Sequence, residues 1–142
     1  MSRMNRIKRA TLALAAVTML VGCGPKGGDE MAAAKEHLEK GEVPAAIVRL
    51  KSVLSHEPSK PEARFLLGQA LMRSGDFTSA ILELKKAAEL GVPADTVVPE
   101  VARAMLEQGA FQAVVAEYSA TQLKAAKAQA DLKASLATAY AN

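Results

Sequence analysis

The chain has 142 residues, of which half are hydrophobic and 23% are charged, and its formal net charge is +3. Four of the 18 basic residues lie in the first nine positions, and the chain after residue 22 has 14 basic and 15 acidic residues. That part has no basic stripe interleaved with aromatic residues, so no nucleic-acid partner is expected. A single cysteine excludes an intramolecular disulfide.

The first 22 residues have the composition of a signal peptide. Four basic residues and no acidic residue precede Ala10–Val21, a run of twelve residues without a charge. As a helix this run would be about 18 Å long, which is too short for a hydrocarbon core of about 30 Å. The length therefore favours a cleaved signal peptide over residues 1–22, rather than an uncleaved membrane anchor.

Leu20, Val21, Gly22 and Cys23 end this segment and resemble the lipobox of bacterial lipoproteins. The resemblance implies cleavage before Cys23 and acylation of its thiol, with palmitate among the acyl chains. Two or three acyl chains anchor a protein stably in a membrane. Gly24, where inner-membrane lipoproteins of enteric bacteria carry aspartate, favours an outer-membrane protein that faces the periplasm. The alternative is an incidental cysteine beside an ordinary cleavage site.

Residues 23–29, which include the sequence PKGGD, are predicted to be an acylated cysteine and a flexible tether. The chain over 30–142 then repeats, because Gly41, Gly75 and Gly109 recur at equal intervals of about 34 positions. The units run over 27–60, 61–94 and 95–128, with a final helix over 129–142. Two further positions of the unit recur in this register, occupied by Ala46, Ala80 and Val114 and by Leu50, Leu84 and Tyr118.

This period and its residue pattern resemble the tetratricopeptide repeat, a helix–turn–helix unit that stacks into arrays. The resemblance implies an all-α fold, an α-solenoid of about three units plus the final helix. The alternative is a generic helical bundle with accidental periodicity. The middle unit matches the family pattern best, at Leu67-Gly68, Gly75-Asp76, Ala80 and Ala87. The first unit departs from the pattern at Gly27 and Gly28, and the third at Pro99, Val114 and Thr121. Pro99 is expected in the first turn of its helix.

Local chemistry in the middle unit supports the helical hairpin. Gly75 can adopt a positive φ and end the first helix. Asp76 offers a side-chain acceptor to the start of the second helix. Small residues at Gly68, Ala80 and Ala46 are expected to let neighbouring helices approach closely.

The last segment, QADLKASLATAYAN, is predicted to form the first helix of a fourth unit. Leu132, Leu136 and Tyr140 are spaced for one apolar helix face. Either this helix caps the array, or the chain is part of a longer array; the pattern slightly favours the second interpretation.

The family resemblance also implies a groove lined by the first helix of each unit. Its candidate residues could accept an extended or helical peptide that carries acidic residues. The alternative is that they are ordinary solvated or half-buried positions. The candidates are Lys35, Leu38, Phe65, Gln69, Met72, Arg73, Arg103 and Leu106, with Glu62 beside them.

The sequence contains no motif of a hydrolase, metalloprotease or phosphate-binding loop. Its histidines, His37 and His56, stand apart from each other and are predicted to be surface residues. We therefore expect a protein that is not an enzyme and has no cofactor and no metal site. The alternative from another class is the targeting arm of a larger envelope enzyme.

The order of motifs resembles one group more narrowly, the repeat lipoproteins of exosortase (PEP-CTERM) systems, which accompany exopolysaccharide export. The resemblance implies a membrane-anchored protein–protein interaction scaffold in the envelope, with a protein or peptide partner. The alternative is an outer-membrane lipoprotein adaptor for pilus secretin or barrel assembly. The matching stretches are Ala34–Lys51, Pro58–Gly68, Gly75–Ala87 and Ala102–Gly109.

Overall fold

The computed structural model describes residues 27–142, and the predicted signal peptide, lipobox and Cys23 lie outside them. The described residues form helices and no strand, which confirms the all-α prediction. The helices are α1 (Gly27–Glu39), α2 (Val43–His56), α3 (Pro61–Ser74), α4 (Phe77–Glu89), α5 (Ala94–Glu107), α6 (Phe111–Tyr118) and α7 (Ala126–Tyr140).

The helices pack as consecutive hairpins that stack on one another. Helix α1 packs on α2, α3 on α4 and α5 on α6, while α2 contacts α3 and α4 contacts α5 to join the hairpins. Helix α7 packs on both α5 and α6. This stacking buries apolar faces that a single hairpin would leave exposed, so the fold is the predicted α-solenoid.

The turns inside the units form as predicted. Gly41, Gly75 and Gly109 have φ values of 74°, 82° and 73°, a region that residues with a Cβ rarely adopt. Gly75 ends α3, and Asp76 then caps α4 by accepting a hydrogen bond of 3.1 Å from the Ser79 backbone N–H.

The first helix begins earlier than the sequence suggests. Residues 27–29 were predicted to belong to the tether, whereas α1 starts at Gly27. Asp29 and Glu30 stand in its first turn, where carboxylates interact favourably with the helix dipole. Glu30 is buried and accepts two hydrogen bonds of 3.2 Å from the Arg49 guanidinium of α2. This tertiary contact explains why two glycines at the start do not prevent the helix.

Small residues bring α3 and α4 into close contact, as predicted. A Cβ at Gly68 would lie 2.6 Å from Leu84 Cγ and 3.3 Å from the Ala80 carbonyl oxygen. Ala80 and Ala46 are completely buried. The core continues along the array in two clusters of buried residues, one centred on α1–α3 and the other on α5–α7.

The third unit departs from the repeat. Helix α6 has 8 residues, whereas α4 has 13, and α7 begins at Ala126 instead of the predicted residue 129. Thr121 consequently lies in the connection between α6 and α7. Pro99, expected in the first turn of its helix, lies in the second turn because α5 begins at Ala94.

A carboxylate of α5 holds the connection between α6 and α7. Asp95 accepts hydrogen bonds from the backbone N–H of Lys124 at 2.8 Å and of Ala125 at 3.0 Å. Gln129 Oε1 accepts a third, of 2.6 Å, from the Leu123 N–H. These contacts give acceptors to the backbone N–H groups of the three residues that precede α7, so they fix the chain where it enters the helix.

The apolar face predicted for the last helix is partly wrong. Leu132 is completely buried and Leu136 is half-buried, but Tyr140 is 67% exposed. Ala139 is buried in its place. At 3.6 residues per turn, Ala139 lies only about 20° from Leu132 around the helix axis, whereas Tyr140 lies about 80° away and therefore leaves the buried face.

Candidate peptide-binding groove

The groove is built from α1, α3, α5 and α7, which leave a cleft between each neighbouring pair. The first cleft, between α1 and α3, has a volume of about 270 Å³ and apolar walls from Leu38 and Leu66. The second, between α3 and α5, measures about 380 Å³ and contains Met72 and Phe77. The third, between α5 and α7, measures about 370 Å³.

These clefts join into one surface, which we call the groove. Gln69 and Arg73 line both the first and the second cleft. Glu100 and Arg103 line both the second and the third cleft. The arrangement offers an extended site across four helices instead of three separate pockets.

Six of the eight residues predicted for the groove line these clefts. Phe65 and Leu106 do not, because both are half-buried and pack against the cluster of buried residues centred on α5–α7. The six are Lys35, Leu38, Gln69, Met72, Arg73 and Arg103.

The groove carries charges of both signs. The Lys35 ammonium lies 2.6 Å from the Glu62 carboxylate, and Arg103 pairs with Glu100 on the same helix. The guanidinium of Arg73 donates a hydrogen bond of 3.2 Å to the Leu38 carbonyl oxygen. Two of the three cations that suggested an acidic partner are therefore already next to a carboxylate.

Four acidic residues that line the groove were not predicted from the sequence: Glu39, Glu100, Glu107 and Asp131. Glu39 lines the first cleft and Glu107 lines the second. Each lies one repeat period from Arg73 in the sequence, so all three occupy the same position of the unit. Comparing charges at that one position would have found Glu39 and Glu107 from the sequence.

Other polar contacts lie outside the groove. His37 is not isolated, since its Nδ1 lies 2.6 Å from a Glu42 carboxylate oxygen across the first turn. Tyr118 donates a hydrogen bond of 2.7 Å to Glu117, and burial, together with this bond, raises the pKa of the Tyr118 hydroxyl. Burial opposes ionisation of Glu117, but bonds from Lys85 and Tyr118 outweigh it and lower the pKa of that carboxyl.

Residues 27–142 contain neither a cluster of metal-ligating side chains nor a membrane-spanning helix. No group of three or more His, Cys, Asp or Glu side chains is arranged to hold a metal ion there. No helix in this range has the length and apolar character needed to cross a membrane.

Stacked helical hairpins whose first helices line one continuous groove define a helical-repeat protein of the α-solenoid class. Residues 31–95, which extend from α1 to the first turn of α5, match the family model described as Tetratricopeptide repeat. No curated protein matches the chain. The match and the fold together support a tetratricopeptide-repeat protein. Such repeats generally bind protein partners and are typically non-catalytic, so the array suggests a protein–protein interaction scaffold.

Proposed function

We propose that this protein is a lipid-anchored scaffold of the bacterial envelope that binds a peptide segment of a partner protein. The observation that carries the proposal is the groove itself. Three clefts joined by Gln69, Arg73, Glu100 and Arg103 offer apolar walls and charged rims to an extended chain.

The lipid anchor is supported by the N-terminal sequence. The lipobox residues Leu20, Val21 and Gly22 precede Cys23, and only three residues separate Cys23 from the start of α1. A diacylglyceryl group on Cys23 would keep the groove within a short distance of the membrane surface. In this arrangement the scaffold faces the periplasm, on the outer membrane.

The process served by this scaffold is, on our proposal, exopolysaccharide export or the sorting of PEP-CTERM proteins. The support is the resemblance of the motif order between Ala34 and Gly109 to repeat lipoproteins of those systems. Reading the genes beside this one tests the assignment. Neighbouring exosortase and polysaccharide-export genes would support it, whereas pilus-secretin or barrel-assembly genes would replace it with the adaptor function.

Site-specific photo-crosslinking in the native bacterium tests the groove. A crosslinking amino acid at Gln69, which lines two clefts, should capture a distinct protein. The same probe at Val48, which is 65% exposed on α2 and outside the groove, is the matched control. Identical products from both positions, or none from Gln69, would contradict binding in the groove.

Membrane fractionation tests the anchor separately. The Cys23→Ser variant should appear in the soluble fraction after a carbonate wash, with the helical content of the wild-type chain. Variant protein that still sediments with membranes would refute the lipid anchor without affecting the groove.

A further inference from the structure

One position of the repeat carries an alternating charge along the groove. Glu39, Arg73 and Glu107 are each one repeat period apart and lie in the last turns of α1, α3 and α5. Glu39 and Arg73 line the first cleft, and Arg73 and Glu107 line the second. The groove therefore presents a negative, a positive and a negative side chain on successive helices.

These three side chains differ from the other groove charges in their partners. Within residues 27–142, Glu39 and Glu107 have no ion pair, and Arg73 contacts a backbone carbonyl instead of a carboxylate. Arg73 uses one of its five N–H donors in that contact, so the others remain available. The other three cations of the groove are paired, in Lys35–Glu62, Arg103–Glu100 and Lys127–Asp131.

We propose that the groove binds an extended peptide whose charges run positive, negative, positive. An acidic side chain of the peptide meets Arg73, and basic side chains on either side of it meet Glu39 and Glu107. This inference rests on the proposed function of the groove and specifies the partner chemistry. It revises the expectation of a simply acidic peptide, because the acids flanking Arg73 were not part of that expectation.

Helix packing sets the spacing of the charges in the peptide. We take about 10 Å, the upper end of the distances between packed helices, as the spacing of neighbouring groove helices; an extended chain in the polyproline II conformation advances about 3.1 Å per residue and returns every third side chain to the same face. A peptide that crosses the helices thus places about three residues on each, so its charges recur at every third residue. Apolar side chains between the charges fit the walls formed by Leu38 and Leu66 and by Met72 and Phe77.

The charge order gives specificity as well as attraction. A uniformly acidic peptide would be attracted by Arg73 but repelled by Glu39 and Glu107. A uniformly basic peptide would be repelled at Arg73. Only an alternating peptide satisfies all three positions, and like-charge contacts are an effective way to reject other ligands.

Fluorescence anisotropy with the purified full chain tests the proposal. The probe is the labelled peptide Gly-Lys-Leu-Ala-Glu-Leu-Ala-Lys-Gly. Its control, Gly-Glu-Leu-Ala-Lys-Leu-Ala-Lys-Gly, has the same composition and net charge in a different order. We expect the probe to bind roughly tenfold more tightly at low salt, since exposed ion pairs each contribute a modest amount. The difference should shrink as salt is added.

A charge-reversed protein gives the decisive comparison. The triple variant Glu39→Lys, Arg73→Glu, Glu107→Lys should lose its preference for the probe and instead prefer Gly-Glu-Leu-Ala-Lys-Leu-Ala-Glu-Gly. The variant Lys51→Glu, an exposed position of α2 outside the groove, is the control and should behave as wild type. Retained helical circular dichroism shows that the triple variant is folded.

The outcomes separate this inference from the proposed function. Equal binding of probe and control, or an unchanged preference in the folded triple variant, would overturn the proposed charge order. Neither result would contradict the proposal that the groove binds a peptide. No binding of any peptide, together with specific crosslinks at Gln69, would also overturn only the charge order. No binding and no crosslinks at Gln69 would overturn both.

Discussion

Arg64 and Glu83 form an ion pair that repeats, with its charges exchanged, in the neighbouring unit. Arg64 Nη1 lies 2.6 Å from Glu83 Oε2, and both side chains are less than one fifth exposed. The same two positions of the first unit hold Glu30 and Arg49, 3.2 Å apart. Opposite polarity in successive units means that pairing α1 with α4 would place Glu30 against Glu83. The pairs therefore favour the native hairpins over exchanged ones.

Breaking the second pair should destabilise the protein. We expect Glu83→Gln to lower the free energy of unfolding by about 1–2 kcal/mol, because a part-buried guanidinium loses its carboxylate. The double exchange Arg64→Glu, Glu83→Arg should recover only part of the lost free energy of unfolding. Arg64 also donates to the Pro58 carbonyl, at 3.0 Å from Nε and 2.8 Å from Nη2. Urea unfolding measures both effects, and an unchanged midpoint for Glu83→Gln would refute a stabilising role.

Enlarging Ala80 should disturb the contact between α3 and α4. Ala80 is completely buried, and its carbonyl lies near Gly68. We expect Ala80→Leu to cost about 1–3 kcal/mol through overpacking. The matched control is Ala116→Leu, at the exposed position of α6 that corresponds to the exposed Leu82 of α4. Equal urea midpoints for the two variants would contradict the packing seen at Ala80.

Removing the Asp95 carboxylate should loosen the start of α7. Asp95→Ala leaves the N–H groups of Lys124 and Ala125 without their acceptor, at a cost of about 1 kcal/mol. Hydrogen exchange at these two amides should accelerate by a factor of roughly five. Asp131→Asn, in an exposed pair with Lys127 on α7 itself, should leave exchange there unchanged. Similar exchange in both variants would show that Asp95 does not hold the connection.

The cap on α4 should depend on pH. Hydrogen bonds from Ser79, through its side chain and its backbone N–H, lower the pKa of the Asp76 carboxyl below 3.8. The stability from this ionised cap is therefore fully present above pH 3.8 and is lost as the pH falls through the folded-state pKa. Asp76→Ala should destabilise the protein by about 1 kcal/mol at pH 7. The difference between the two proteins should stay constant down to about pH 3.8 and narrow as the pH falls further. A difference that stays constant down to about pH 2 would exclude a contribution from the ionised carboxylate.

The predictable parts of the fold are those governed by short stretches of sequence. Gly75 ends α3 and Asp76 caps α4 because a left-handed residue and a short side-chain acceptor act on their immediate neighbours. The repeat period likewise placed Lys35, Gln69 and Arg103 along one groove, since equivalent positions of stacked units face the same way.

The features that were not predicted depend on residues that are far apart in the sequence and come into contact only in the folded protein. Glu30 pairs with Arg49 and supports a helix start that two glycines seemed to exclude. The charge available at Lys35 depends on Glu62, which lies in the next unit of the sequence and on another helix. Neither pairing is visible in a local pattern, because ion pairs across helices depend on how the helices stack.

The sequence by itself therefore determined the helical class, the repeat unit, the turns inside each unit and six of the sixteen residues that line the groove. Only the tertiary structure decided the length of α6, the start of α7 and the charges left without partners in the groove. The physical reason is one of range: turn glycines and helix caps act within a few residues. The Asp95 contacts to Lys124 and Ala125, by contrast, form only once α5 and α7 are packed together.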